Sequence, residues 1–208
     1  MFSKQNGQIF ASIFILSIFI WGGIVHAQSD SPKTNIYDMG ILKPIDSVSS
    51  LRVGDKAPDF SLPTIGGLRI PLSQYLEKKN VVISFVPAAW TSVCSAQWPE
   101  YAKSKDLFVK NNAILLGISV DNLPTLHAWT QTMCMGKEES LWFPVFSDFH
   151  PHGAVAKKYG VLRSDGVTER ALFIIDKKGI IRYIDIHDIN KLPPLEELVK
   201  ALEDLQGP

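Results

Sequence analysis

The sequence predicts an α/β protein, a central mixed β-sheet flanked by helices and preceded by a β-hairpin. Residues 81–86 (VVISFV) and 113–120 (AILLGISV) are short, β-branched and apolar on both alternations, as strands buried on both faces are. The stretches that follow them, 92–110 and 123–134, carry apolar residues at helical spacing. Residues 170–176 and 179–186 read as a strand pair turning at Lys177-Lys178-Gly179. Strands alternating with helices and ending in a hairpin fit one sheet covered on both sides.

The chain opens on a segment unlike the rest. Lys4 supplies a positive start, Ile9 to Trp21 is an almost unbroken apolar run, and Val25-His26-Ala27 offers small residues near a cleavage point. Residues 1–27 therefore read as a secretory signal peptide. The alternative is an uncleaved anchor, because Ile9 to Val25 spans 17 residues, the short edge of what crosses a bilayer. Export to a periplasm follows from the first reading, membrane attachment from the second.

Residues 28–50 mix Ser, Asp, Pro, Lys and Asn and read as a linker or loose arm. The remaining segment, 51–208, is of one-domain size. It begins with two short apolar segments around Gly66-Gly67, a hairpin signal. Pro99 predicts a kink inside the 92–110 helix. A short strand at 143–147 and a helix at 153–159 follow. Pro193-Pro194 then opens a last helix with Leu195, Leu198, Leu202 and Leu205 on one face.

Composition excludes some classes of function. Of the 208 residues 46% are hydrophobic, enough for a full core. The 21 basic residues balance 21 acidic ones, so no basic field argues for nucleic acid. His150 and His152 lie in a loop with no cysteine or carboxylate cluster at ligand spacing, His127 is read with them, His187 is followed by Asp188 near a strand end without a visible partner, and no metal is expected.

Cys94, one of two cysteines, falls where a buried strand gives way to a helix. The free N–H groups and positive dipole end at a helix start favour an anion, and a thiolate is the nucleophilic form of cysteine. Thr91 stands three residues before it, near enough for its hydroxyl to reach the sulfur or a bound oxygen. Pro87 fixes the chain direction after the strand without adding a donor. The competing reading makes Cys94 a small buried hydrophobe.

The spacing P-x-x-x-T-x-x-C formed by Pro87, Thr91 and Cys94, with the distant Arg170 of ERALFIID, resembles the active-site set of the peroxiredoxins. The resemblance runs from about Val53 to the C-terminus and includes VGDKAPDFSLP, GISVD and SDFHPHGAVAKKYGV. It implies a thioredoxin-like fold and a thiol peroxidase without a cofactor, reducing hydrogen peroxide or organic hydroperoxides through a cysteine sulfenic acid. It also implies an external thiol reductant, thioredoxin-like or small, and a homodimer. Arg170 would reach over the sheet to the sulfur; read alone, it is equally a surface charge paired with Glu169. Trp90 and Trp98 read as packing around the helix start, Trp90 also as a pocket wall. Gln97 reads as a group near the mouth or as part of a solvated face.

Cys134, 40 residues after Cys94, is either a resolving cysteine or an inert core residue, and both readings stay open. Two other functions compete. A thiol-disulfide oxidoreductase of the same fold would carry W-C-x-x-C, but Thr91 stands where its first cysteine belongs. A non-catalytic module binding copper or a partner protein would need C-x-x-x-C for the metal, and position 98 is Trp98.

Overall fold

The computed structural model describes residues 36–133 and 141–205; the leader at 1–27, the start of the arm and Cys134 lie outside them. The predicted opening hairpin is present as β1 (Ser61–Pro63) and β2 (Arg69–Pro71), antiparallel with Leu62 opposite Ile70. Its turn places Gly67 at φ 81°, a conformation that glycine adopts without steric cost.

The sheet has five strands in the order β5-β4-β3-β6-β7. Here β3 is Asn80–Phe85, β4 Ala113–Ser119 and β5 Val145–Ser147, all parallel; β6 (Arg170–Ile175) pairs antiparallel with β3, and β7 (Ile181–His187) antiparallel with β6. Every residue of β3 and β6 is buried, which explains why neither shows a polar alternation.

Alternate residues of β3 feed two cores. Val81, Ile83 and Phe85 join Phe146, Tyr159 and Phe173 on one face. Val82 and Val86 join Trp98, Trp129, Leu172 and Leu198 on the other. Helix α5 (Leu195–Asp204) closes that second face with Leu198 and Leu202 buried, flanked by the partly buried Leu195 and Leu205 of the predicted stripe.

The predicted single helix over 92–110 is two helices, α1 (Cys94–Lys103) and α2 (Lys105–Lys110). The interruption falls at Ser104 rather than at Pro99, which lies within α1. Ser104 takes a non-helical ψ of 20°, and its Oγ donates to Glu100 O at 2.9 Å, an alternative partner for a carbonyl of the last turn. Two further helices complete the fold, α3 (Leu123–Met133) and the short α4 (Ala154–Lys158). Among the described residues no helix is long and apolar enough to cross a membrane.

A serine and a glycine within the apolar runs of β3 and β4 make room for Trp98. Ser84 and Gly117 are register partners across β3 and β4. Ser84 Oγ accepts from Trp98 Nε1 at 3.2 Å, and a Cβ on Gly117 would lie 2.7 Å from the indole ring. The indole therefore lies directly on the sheet, its N–H satisfied and its body buried.

Residues 36–50 contain no helix or strand and run along the domain. Leu42 and Asn190 exchange two hydrogen bonds at 2.9 Å, and Ser49 Oγ donates to Tyr159 O at 2.8 Å.

Gly117→Ala is expected to cost roughly 1–3 kcal/mol, because the sheet backbone and Trp98 cannot both yield; urea unfolding measures it. Asp148 tests a second element. Its carboxylate caps α4, accepting from Val155 and Ala156 N–H groups, yet burial outweighs those bonds and raises its pKa. A folded pKa above the unfolded one contributes stability at low pH that is lost as pH rises through the folded value. Asp148→Asn keeps an acceptor without the charge, so its urea midpoint should gain on the wild type as pH rises through that range.

Candidate active site

The parallel pair β3–β4 ends with Val86 N–H bonded to Ile118 O at 3.0 Å, and the chain turns out of the sheet at Pro87. Asp121, just beyond β4, receives the Ala89 N–H at 2.7 Å and the Ser119 hydroxyl at 2.6 Å, tying the loop to the sheet end. The loop then passes through Trp90 in a left-handed conformation, φ 65°, which side-chain-bearing residues rarely adopt. Thr91 follows, its hydroxyl donating to Ala88 O at 2.9 Å and its carbonyl accepting from Ser95 N–H at 2.9 Å. Cys94 is the first residue of α1, completely buried, and no acidic residue stands in that first turn.

Arg170 arrives from the other side. In the β3–β6 register Phe85 faces Ala171, so Arg170 projects just past the end of β3. Arg170 is 2% exposed and its guanidinium lies beside the thiol, Nη1 at 3.7 Å and Nη2 at 3.6 Å from Cys94 Sγ. Nη1 also donates to Gln97 Oε1 at 2.6 Å; Nε and Nη2 donate to Ile189 O at 3.2 and 3.0 Å. These contacts occupy the five N–H donors of the fork. The pairing of Arg170 with Glu169 does not form. Glu169, just before β6, binds Arg163 instead, Oε2 to Nη1 at 2.8 Å.

Gln97 is buried, so the solvated-face reading fails. Lying one turn after Cys94 on the same side of α1, it accepts from Arg170 and donates to Tyr101 Oη at 3.2 Å and Ser84 Oγ at 3.4 Å. Burial pushes the Tyr101 phenol well above its ordinary pKa, against the pull of the Gln97 bond, and keeps it a neutral partner. Trp98 packs against Trp129 with ring centres 5.0 Å apart, as a packing residue should.

A half-open cavity of about 190 Å³ fronts the site. Pro87, Thr91 and Arg170 line it, with residues 38–42 of the arm opposite; Cys94 sits behind Thr91 and Arg170 rather than in the wall. The spacing thus brings all four predicted residues to one place. Reading the sequence missed the Ile189 carbonyl, which has no side-chain signature, and undervalued Gln97, whose i, i+3 relation to Cys94 was the available signal. Among the described residues no three His, Cys, Asp or Glu side chains converge as metal ligands. His187 has a partner two residues back on the same face of β7, Asp185 at 3.3 Å across Nδ1 and Oδ2.

A mixed sheet of this order, with a cysteine opening α1 under a guanidinium borne on β6, defines a thioredoxin-like protein with a buried thiol at a strand-to-helix junction. Comparison with known proteins agrees and goes further. The model of the AhpC/TSA family matches residues 53–184. A chloroplastic 2-cysteine peroxiredoxin of Chattonella marina var. antiqua is 36% identical over 163 residues, covering 76% of this chain and 82% of its own. Alkyl hydroperoxide reductase E of Mycobacterium bovis is 34% identical over 137 residues, covering 65% and 86%. Among solved structures, the reduced 2-Cys peroxiredoxin of Plasmodium vivax superposes with a TM-score of 0.67 at 29% identity, covering 74% of this chain and 81% of that one. The chain belongs to the AhpC/TSA family of peroxiredoxins and is a thiol peroxidase.

Replacing Gln97 by Leu keeps the volume but strands Arg170 Nη1 and the Tyr101 hydroxyl. The loss expected in urea unfolding is about 1–3 kcal/mol.

Proposed function

We propose that this is an exported peroxidase in which Cys94 is the nucleophile and Arg170, Thr91 and Pro87 form its site. The observation that carries this reading is the charge balance around Arg170. The guanidinium is buried, and its oxygen partners, Gln97 and Ile189, are neutral. Among the described residues the ion pairs do not include Arg170. A buried cation needs an anion close by, and the sulfur 3.6 Å away supplies one when it is ionised.

The reaction then runs as a displacement. The thiolate sulfur attacks one peroxide oxygen along the O–O axis, the S–O bond forms as the O–O bond breaks, and the leaving oxygen departs as alkoxide or hydroxide and takes up a proton. Two N–H groups of Arg170 that face the sulfur are positioned to hold the charge moving onto oxygen. Thr91 spends its hydrogen on Ala88 O, so its remaining lone pairs face the substrate as acceptors for a peroxide O–H. Pro87 contributes a wall with no N–H to compete. Cys94 is left as a sulfenic acid; a second thiol attacks its sulfur, releases water and leaves a disulfide.

For that second thiol, the reading takes either Cys134 or an external thioredoxin-like or small thiol. A homodimer belongs to the same reading, as does export through the leader at 1–27. Relatives named as chloroplastic 2-Cys peroxiredoxins support a targeted protein and a two-cysteine cycle.

The test treats the reduced full-length chain with one equivalent of hydrogen peroxide and takes intact masses with and without a sulfenic-acid trap. A trap adduct that disappears in Cys94→Ser is expected. A rapid loss of two hydrogens that requires Cys134 would assign it as resolver; a persistent adduct would leave resolution to an outside thiol. Arg170→Lys, which keeps charge but loses the fork, should slow Cys94 oxidation by about 10²–10³-fold. Unaltered masses in a folded protein would end the peroxidase assignment of Cys94.

A further inference from the structure

The cavity in front of Arg170 has two walls of different origin. One is the site loop, through Pro87, Thr91 and Val93; the other is the irregular stretch 38–42 of the arm. A segment without helix or strand keeps its place only where its backbone groups are bound elsewhere. Here they are bound on both sides of the cavity. Tyr37 N–H donates to Trp90 O at 2.6 Å, which fastens the arm to the strained residue preceding Thr91. Beyond the wall, Pro44 O accepts from Ile189 N–H at 3.0 Å, the same residue whose carbonyl holds Arg170.

The firmest attachment is an ion pair. Glu169 and Arg163 have side chains 0% and 3% exposed and meet at 2.8 Å. Burying two charges is costly unless their remaining donors and acceptors are used, and here the arm uses them. Glu169 Oε1 accepts the N–H groups of Asp46 at 2.6 Å and Ser47 at 2.7 Å, and Arg163 Nη1 donates to Lys43 O at 3.1 Å. Asp46 returns the connection, its carboxylate accepting from Ser164 N–H at 2.8 Å and Ser164 Oγ at 2.6 Å. The pair therefore clamps 43–47 and, through them, the adjoining wall.

The wall is apolar where it is partly covered, at Met39 and Leu42. Its size is informative as well. Hydrogen peroxide has the bulk of about two waters, each near 30 Å³, whereas a cavity of about 150 Å³ takes up benzene. At about 190 Å³ this cavity holds a peroxide group and a compact hydrocarbon substituent.

We propose that residues 38–42 are the specificity-determining wall of the peroxide site, that the buried Arg163–Glu169 pair positions them, and that the site favours hydroperoxides bearing a compact apolar group over hydrogen peroxide. This rests on the peroxidase reading of Cys94. Removing apolar contact from a pocket changes discrimination about tenfold or more.

The experiment measures second-order rate constants for Cys94 oxidation by cumene hydroperoxide and by hydrogen peroxide, using the full-length chain. The ratio of the two should exceed one in the wild type and fall about tenfold in Met39→Ala/Leu42→Ala. Glu169→Ala should lower it in the same direction, and Glu169→Gln, which retains an acceptor for the Asp46 and Ser47 N–H groups, should restore part of the loss. Should Glu169→Ala fail to fold by near-ultraviolet circular dichroism, the arm variant decides alone. A wild-type ratio below one, or a ratio unmoved in the arm variant, overturns the role of the wall and leaves the peroxidase standing. A wild-type Cys94 oxidised by neither peroxide overturns both.

Discussion

A buried guanidinium is the constraint around which this site is built. Arg170 carries five donors into a nearly fully buried position, and each must find a partner there or the fold loses their desolvation energy. The carbonyl of Ile189 takes two, the amide of Gln97 takes one, and the sulfur takes the two that remain. Neutral oxygens satisfy the hydrogen bonds but not the charge. This arrangement joins two segments 76 residues apart, so the thiol acquires its electrostatic setting only after β3 and β6 have paired.

The neighbouring residue shows how a strand separates two charges that sequence places side by side. Glu169 and Arg170 are each satisfied by a different set of partners. Arg170 belongs to the thiol, Glu169 to Arg163 and the arm. The start of β6 consequently links the cavity lined by Arg170 to the arm segment that lines its other side. Carboxylate placement follows the same logic: an acid at the guanidinium would compete with the sulfur for its N–H groups.

Much of the fold was legible because strand and helix periods are local properties. VVISFV and AILLGISV read as doubly buried strands and are; the leucine stripe at 195–205 does line the second core. The site was legible for a different reason, since P-x-x-x-T-x-x-C is a short spacing and ERALFIID marks its distant member. What escaped depends on tertiary context. Helical spacing ran unbroken over 92–110, yet the helix is interrupted at Ser104, whose side chain offers the backbone another partner. Gln97 could not be told from a solvated residue until α1 was docked on the sheet, and nothing in HDIN announces that the Ile189 carbonyl binds Arg170.

Packing beneath α1 explains why the thiol can be held so firmly at a helix start without a side-chain cap. Val93 offers no capping oxygen, so the helix position is fixed by its buried face instead. Trp98 lies against Gly117 and bonds Ser84, while Trp129 donates from Nε1 to Ser95 Oγ at 3.1 Å in the first turn itself. These contacts pin α1 from the sheet and from α3, on either side of the residue after the cysteine. Because the indole of Trp98 fills the space that a side chain at 117 would occupy, α1 settles at one height above the sheet. That height sets the separation between sulfur and guanidinium, one borne on the helix and the other on the strand beneath. The tight core is thus the means by which a soft contact of 3.6 Å becomes a defined one.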